Sequence, residues 1–450
     1  MPSTPPPAAA HPPAGPAASR PDRVSAGLVL LLSALTAVGP LTIDLYLSAF
    51  PEIVAEMGTT ESRVQLTLTA TLAGLAIGQL VIGALSDAVG RRAPLLVALS
   101  VYVVASAAIV VVDGIVWLTV LRFVQGLSAA AGMVLSMAIV RDTFHGFQIG
   151  KVIARLMLVV GVAPILAPTL GAQFLRLGSW RLMFVALAVV GAVLLLVVAL
   201  RLKESLPVER RRTGGLGEAL RSYADLLRDW SFFGLALLAG FYMAAMFTYI
   251  SASTFVLQGQ FGLSAQTYAV LFGVGAVSVT IGSQVNGALV GRVAPTTILT
   301  GAVATGVVLS GALYAAAAAG APLGVLVALI VLTLGTAGFV MPSVPAIALE
   351  RNAHRAGSAA ALVGALQFGV GAGIAPATGL LGGTPSVTMA AVMLAVIAVA
   401  GLLLLSLRPG WRRQAAVDQS AAETSRAETS RAETSPVPSV TRTDVPEVIS

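Results

Sequence analysis

Runs of apolar residues about the length of a membrane span recur through this chain, and they limit what it can fold into. A helix crossing the hydrocarbon of a bilayer needs about 20 predominantly apolar residues. Runs of that length fall at 25–50, 64–88, 93–112, 114–139, 151–177, 180–202, 230–258, 266–290, 294–317, 321–345, 357–382 and 385–407, separated by Gly, Pro or charged residues. Only 10% of the 450 residues are charged and 57% are hydrophobic. Soluble domains carry about 25% charged residues, so a water-soluble surface of this size could not be covered. The expected fold is all-α and membrane-integral, with twelve transmembrane helices in two six-helix halves, 25–202 and 230–407.

The charged segment 203–229 joins the halves. Within it Leu220, Tyr223, Leu226 and Leu227 are spaced as one face of a short amphipathic helix, expected on the membrane surface. Residues 1–24 are Pro/Ala-rich, lack the basic-then-apolar pattern of a signal peptide and are expected to be disordered. The same is expected of 408–450, which contains the polar repeat AETSRAETSRAETS. Lys and Arg number 27 against 20 acids. They collect in alternate loops: Arg91, Arg92, Arg141, Lys151, Arg201, Lys203 and the linker arginines fall on one side, and only Arg63, Arg176 and Arg181 on the other. By the positive-inside rule both termini are cytoplasmic and the chain is a multi-pass protein of the cell membrane. Basic residues scattered between spans exclude a nucleic-acid partner, which would need them gathered on one face.

Ionisable groups inside the spans are expensive and point to function. Of the 20 acids, Asp44 alone falls clearly within an apolar run, and Arg122 is the clearly intramembrane base. Counted from the helix ends at 1.5 Å per residue, they lie roughly 9 and 12 Å below the same face, within one helical turn of each other. A carboxylate and a guanidinium at matching depth invite pairing. Either the pair is a static clamp between the first and fourth helices, or Asp44 is a proton carrier coupled to substrate and conformation. Gln125, three residues after Arg122, is placed to hold the guanidinium. Tyr242, Met246, Tyr249 and Ser253 share one face of the seventh helix, and Gln367 lies mid-way along the eleventh. With Asp44, Arg122 and Gln125, the first three of that face and Gln367 form the expected substrate cavity, although plain packing explains the same spacing. There is no cysteine, and His11, His145 and His354 all lie outside the runs. No metal site or cofactor is therefore expected. Nor is an enzyme, which would need acids or histidines converging on one site. The P-loop pattern of ATP-driven pumps is absent.

Several of these segments resemble one family. GALSDAVGRR (83–92) is similar to the loop between helices 2 and 3 of the major facilitator superfamily. The resemblance implies a gating latch of Gly83, Asp87, Gly90, Arg91 and Arg92, with Asp142 at the end of helix 4. Gly83 and Gly90 would serve close approach and a tight turn. LRFVQGLSAAAG (121–132) resembles that family's helix 4 element at Arg122, Gln125 and Gly126. GVAPILAPTLGA (161–172) resembles its antiporter element on helix 5 at Pro164, Pro168 and Gly171, with Ala167 and Ala172 departing from it.

Within the superfamily the chain is similar to the bicyclomycin/chloramphenicol resistance (Bcr/CflA) branch of drug:proton antiporters. The carrying residues are Asp44–Pro51 and YISASTFVLQGQFGLS (249–264), with Ser48 and Thr254 each standing where that branch has Pro. The loss of Pro at 48 predicts a less kinked first helix. GSQVNGALVGR (282–292) and AGSAAALVGALQFGVG (356–371) carry the match into the second half, whose loop lacks both the Asp and the Arg pair. The resemblance implies a major facilitator fold and export of small amphipathic drug-like molecules against protons, with Asp44 and Arg122 in proton coupling. The implied partners are a small-molecule substrate, protons and membrane lipid, and the expected unit is a monomer. Export of a specific metabolite, a dipeptide or a self-made secondary metabolite fits the same residues.

Overall fold

The computed structural model describes residues 26–211, 215–352 and 355–408. The two tails, Ala26 onward and Arg408 apart, lie outside that range, as does the expectation of disorder made for them. Among the described residues twelve helices are long and apolar enough to cross a membrane. They are α1 (Ala26–Glu56), α2 (Glu61–Val89), α3 (Arg92–Val110), α4 (Ile115–Thr143), α5 (Gln148–Leu177), α6 (Arg181–Arg201), α7 (Trp230–Gln260), α8 (Ala265–Leu289), α9 (Pro295–Ala318), α10 (Leu323–Ala348), α11 (Gly357–Leu381) and α12 (Pro385–Arg408). Their ends fall within six residues of the sequence-based boundaries. The ends are legible because polar or conformationally special residues stop each run: Gly90 at a φ of 104°, Gly178 at 151°, Gly262 at 66° and Gly320 at 66°.

An even number of spans puts Ala26, Arg408 and the linker on one side, here the linker side; the opposite face is the far side. In the first half α2 packs closely on α4, and α8 packs on α10 in the second. A Cβ added at Gly78 would lie 2.5 Å from the Leu127 carbonyl oxygen, so the α2–α4 approach admits no side chain there. Between the halves, α2 lies along α11 and α5 along α8.

The linker helix (Gly215–Arg228) does more than rest on a membrane surface. Tyr223 and Leu226 are buried against Phe232, Ala236, Leu362 and Val363, while Leu220 and Leu227 stay exposed. The Tyr223 hydroxyl donates to the Leu80 carbonyl at 3.3 Å, and Arg355 donates to Asp225 at 3.1 Å. This helix therefore touches both halves.

α1 is not a continuous rod. Its α-helical part ends at Asp44, a 3-10 turn follows over Leu47–Ala49, and a short helix resumes at Phe50–Glu56 with Pro51 in its first turn. The expectation of a straighter first helix is corrected. Pro51 has no N–H and is tolerated only where a helix begins, so Ser48 in place of a proline does not restore continuity.

Candidate functional site

The break in α1 organises the centre of the first half. Where the helix stops, its carbonyls lose their regular partners, and neighbouring helices supply new ones. The Arg122 guanidinium, fully buried on α4, donates to the Thr42 carbonyl at 2.8 Å and to Gln125 Oε1 at 2.5 Å. Its carbon lies 4.1 Å from the centroid of the Tyr46 ring and 5.6 Å from that of Phe184. Such stacking suits a desolvated guanidinium. Gln125 donates onward to Ser106 Oγ at 2.8 Å, and Tyr102 and Thr42 share a hydroxyl contact of 2.8 Å. The result is a closed polar network of α1, α3 and α4. Gly171 on α5 completes the grip, since a Cβ there would stand 2.1 Å from the Leu45 carbonyl oxygen. α5 itself runs unbroken through Pro164 and Pro168.

The pairing expected between Asp44 and Arg122 does not form. Among the described residues no cation lies within salt-bridge reach of Asp44, and its Oδ1 is buried without a hydrogen-bond partner. Matching depth was read correctly, since Arg122 bonds to Thr42, but depth does not set direction around the helix axis. Asp44 instead stays unpaired just before the Leu47–Ala49 turn, which packs against α8.

The residues expected from α7 divide. Tyr242 is corrected out of the cavity: its hydroxyl donates to the Ala302 carbonyl at 3.2 Å and meets Thr336 at 3.4 Å, inside the second half. Tyr249 is buried and stacks on Phe272 of α8, centroids 5.5 Å apart at 19°. Phe272 also meets Tyr268, whose hydroxyl lies 3.4 Å from Ser253. Met246 is half-buried and packs against two apolar clusters, one within the second half and one that spans both halves. Gln367 is turned toward Met341, 3.8 Å from its sulfur, and so bridges α11 and α10. The spacing that put these residues on one face was right, but a central helix is covered on every side, so the face did not name its neighbour.

The latch residues are brought together. Arg91, buried in the α2–α3 turn, donates to Asp87 at 2.5 Å, to Ser86 at 2.8 Å and to Asp142 at 2.9 Å. Burial works against its charge, yet Asp142 and Asp87 hold the guanidinium above its ordinary value. Gly90 needs its φ of 104° for the turn. Gly83 does not serve close packing, because a Cβ there would make only an ordinary 3.5 Å contact with Val134. Arg92 donates to the Ala199 carbonyl at 2.8 Å. Sequence reasoning missed Glu204, whose carboxylate accepts from the backbone N–H of Arg91 at 2.8 Å and of Arg92 at 3.2 Å. The N–H groups of Ser205 and Leu206 also point to it. Desolvation opposes ionisation there, but these four donors hold Glu204 below the usual carboxylate range. The available signal was a carboxylate able to cap the start of α3.

Twelve spans in two six-helix halves, with a broken central helix that carries a buried acid, are the build of a secondary transporter. The chain belongs to the Major Facilitator Superfamily, which its residues 32–376 match. It is 40% identical over 378 residues to a protein of Bacillus subtilis named "Uncharacterized MFS-type transporter YdgK", covering 84% of this chain and 94% of that one. It is 30% identical over 355 residues to the "Bicyclomycin resistance protein homolog" of Haemophilus influenzae, covering 76% and 86%. The xylose transporter XylE of E. coli, solved in a partially occluded inward-open conformation, superposes with a TM-score of 0.67 over 84% of this chain and 96% of that one, at 12% identity. This is a multi-pass membrane transporter of small molecules and not an enzyme.

Proposed function

We propose that this transporter exports small amphipathic compounds in exchange for protons across the cell membrane, with the linker side cytoplasmic and Asp44 as the proton carrier. One observation carries the reading: a buried carboxyl with no ion-pair partner among the described residues, at the break of a spanning helix and beside the turn that packs on the other half. An acid paired with Arg122 would be locked as a structural clamp. An acid without a partner changes its charge at a cost set by what moves next to it. Substrate and proton favouring opposite facing states then gives exchange. Arg122 positions the turn that carries Asp44 and does not neutralise it. The drug-like cargo is supported by kinship with the bicyclomycin resistance homologue.

The test is efflux in sealed vesicles from a panel of unrelated amphipathic compounds, driven by an imposed proton gradient. Wild type is expected to move several of them, Asp44→Asn none. Uphill export by Asp44→Asn would refute the proton role. Transport of one compound only would replace a drug exporter with a dedicated metabolite carrier.

A further inference from the structure

Among the described residues, four hydrogen bonds pass directly from one half to the other. They are Thr254 to the Leu47 carbonyl at 3.1 Å, Gln258 to the Ser48 carbonyl at 3.3 Å, Gln266 to the Ala172 carbonyl at 3.4 Å, and Thr378 to Gln65 at 3.3 Å. All four lie toward the far side. The first two converge on one turn, the 3-10 segment Leu47–Ala49 that follows Asp44.

We infer that Thr254 and Gln258 are the far-side gate of this transporter, holding it shut by hydrogen bonds to the carbonyls of Leu47 and Ser48. The Leu47 carbonyl has room for a second donor: it accepts the Phe50 N–H of the 3-10 turn, and Pro51, four residues on, has no N–H to give it. The donors are equally irregular in origin: α7 changes to a π-helical turn over Phe255–Gln260, and such turns interrupt helices at working sites. Beside the bonds, Phe50 meets Phe255 with centroids 5.8 Å apart, which excludes water from the seam. Thr254 is fully buried, and Ser48 Oγ is buried without a partner on the same seam.

The gate is uncharged, built from a hydroxyl, an amide and two carbonyls. Each bond is modest in net strength, as a seam that must part in every transport cycle requires.

The chain has no cysteine, so a single reporter can be placed without removing any. Ser48→Cys puts a thiol on the sealed seam, and its reaction with a maleimide is followed in lipid nanodiscs. Thr254→Val and Gln258→Leu are each expected to raise the labelling rate about fivefold, as the loss of one such hydrogen bond implies. Thr254→Ser, which keeps the hydroxyl, should leave it unchanged. Gln258 is only half-buried, so its variant stays informative if Thr254→Val folds poorly. An unchanged rate in monodisperse Gln258→Leu would overturn the proposal, as would a rise in Thr254→Ser equal to that in Thr254→Val. The outcome does not depend on the proton reading, because Asp44 is intact throughout.

Discussion

Arg91 and Arg122 are both buried guanidinium groups at the inner faces of helices, yet their surroundings are opposites. Arg91 gathers Asp87, Asp142 and Ser86, with Glu204 bound to its backbone. Arg122 has no carboxylate partner among the described residues and is held by a backbone carbonyl, an amide oxygen and two aromatic faces. The difference follows from where each sits. At the membrane edge acids remain partly hydrated, Asp87 keeping 38% of its side chain exposed, so several can be kept ionised around one cation. In mid-span each added charge is costly, and neutral acceptors take the two terminal nitrogens of the guanidinium while Asp44 stays unpaired. The cation at the rim is held by carboxylates, whereas the one in mid-span is held by neutral groups.

The strongest way to break the comparison is to remove the mid-span cation. Arg122→Met leaves the Thr42 carbonyl and Gln125 without their donor in a dry site. It is expected to cost about 2–3 kcal/mol and to abolish transport, read by thermal unfolding and vesicle efflux. Arg122→Lys cannot fork between the two acceptors and stack on Tyr46 at once, so it should recover little of either. If Lys restores both, charge alone is what the site needs.

At the rim, Arg91→Ala strands Asp87 and Asp142 beside each other. The expected cost is about 1–2 kcal/mol, softened by hydration, with slower transport and not a complete loss. Raising salt to about 1 M shortens the screening length to roughly 3 Å. Stability of the wild type should fall slightly, and the Arg91→Ala variant should lose that salt sensitivity; an equal response in both would mean that the latch is too dry to be screened.

The smallest effect belongs to Glu204. Its carboxylate is held below the ordinary value of 4.5 when folded, so its contribution is present above that pH and disappears as pH falls through the lower folded value. For a group this exposed the contribution is at most about 0.5 kcal/mol after solvent screening. Glu204→Gln should flatten the acid limb of stability below about pH 4.5 and leave neutral pH nearly unchanged. An unaltered acid limb would show that the backbone donors, not the charge, make the contact.

The twelve spans were legible because the bilayer imposes a length on every apolar run, and the cluster of Asp87, Arg91 and Asp142 through the resemblance of 83–92 to a known loop. The centre was less legible. Counting from helix ends gave Asp44 and Arg122 a common depth, but the break at Leu45–Ala49 turns the chain, and only packing decides what each side chain then meets. For the same reason spacing left open which neighbours Tyr242 and Gln367 meet: Tyr242 bonds within the second half, and Gln367 bridges α11 and α10. Thr254 and Gln258 carried almost no signal, since a neutral donor meeting a backbone carbonyl on another helix leaves no pattern in either segment.

By itself, then, the sequence determined the membrane fold, the helix count and the depth of the buried acid and base. Each follows from one-dimensional quantities: run length, charge placement and residues per turn. The tertiary structure alone decided that Arg122 serves the α1 turn, that Asp44 stands unpaired, and that Glu204 joins the Arg91 cluster. Those are matters of azimuth and of freed carbonyls, set when twelve helices compete for the same interior space.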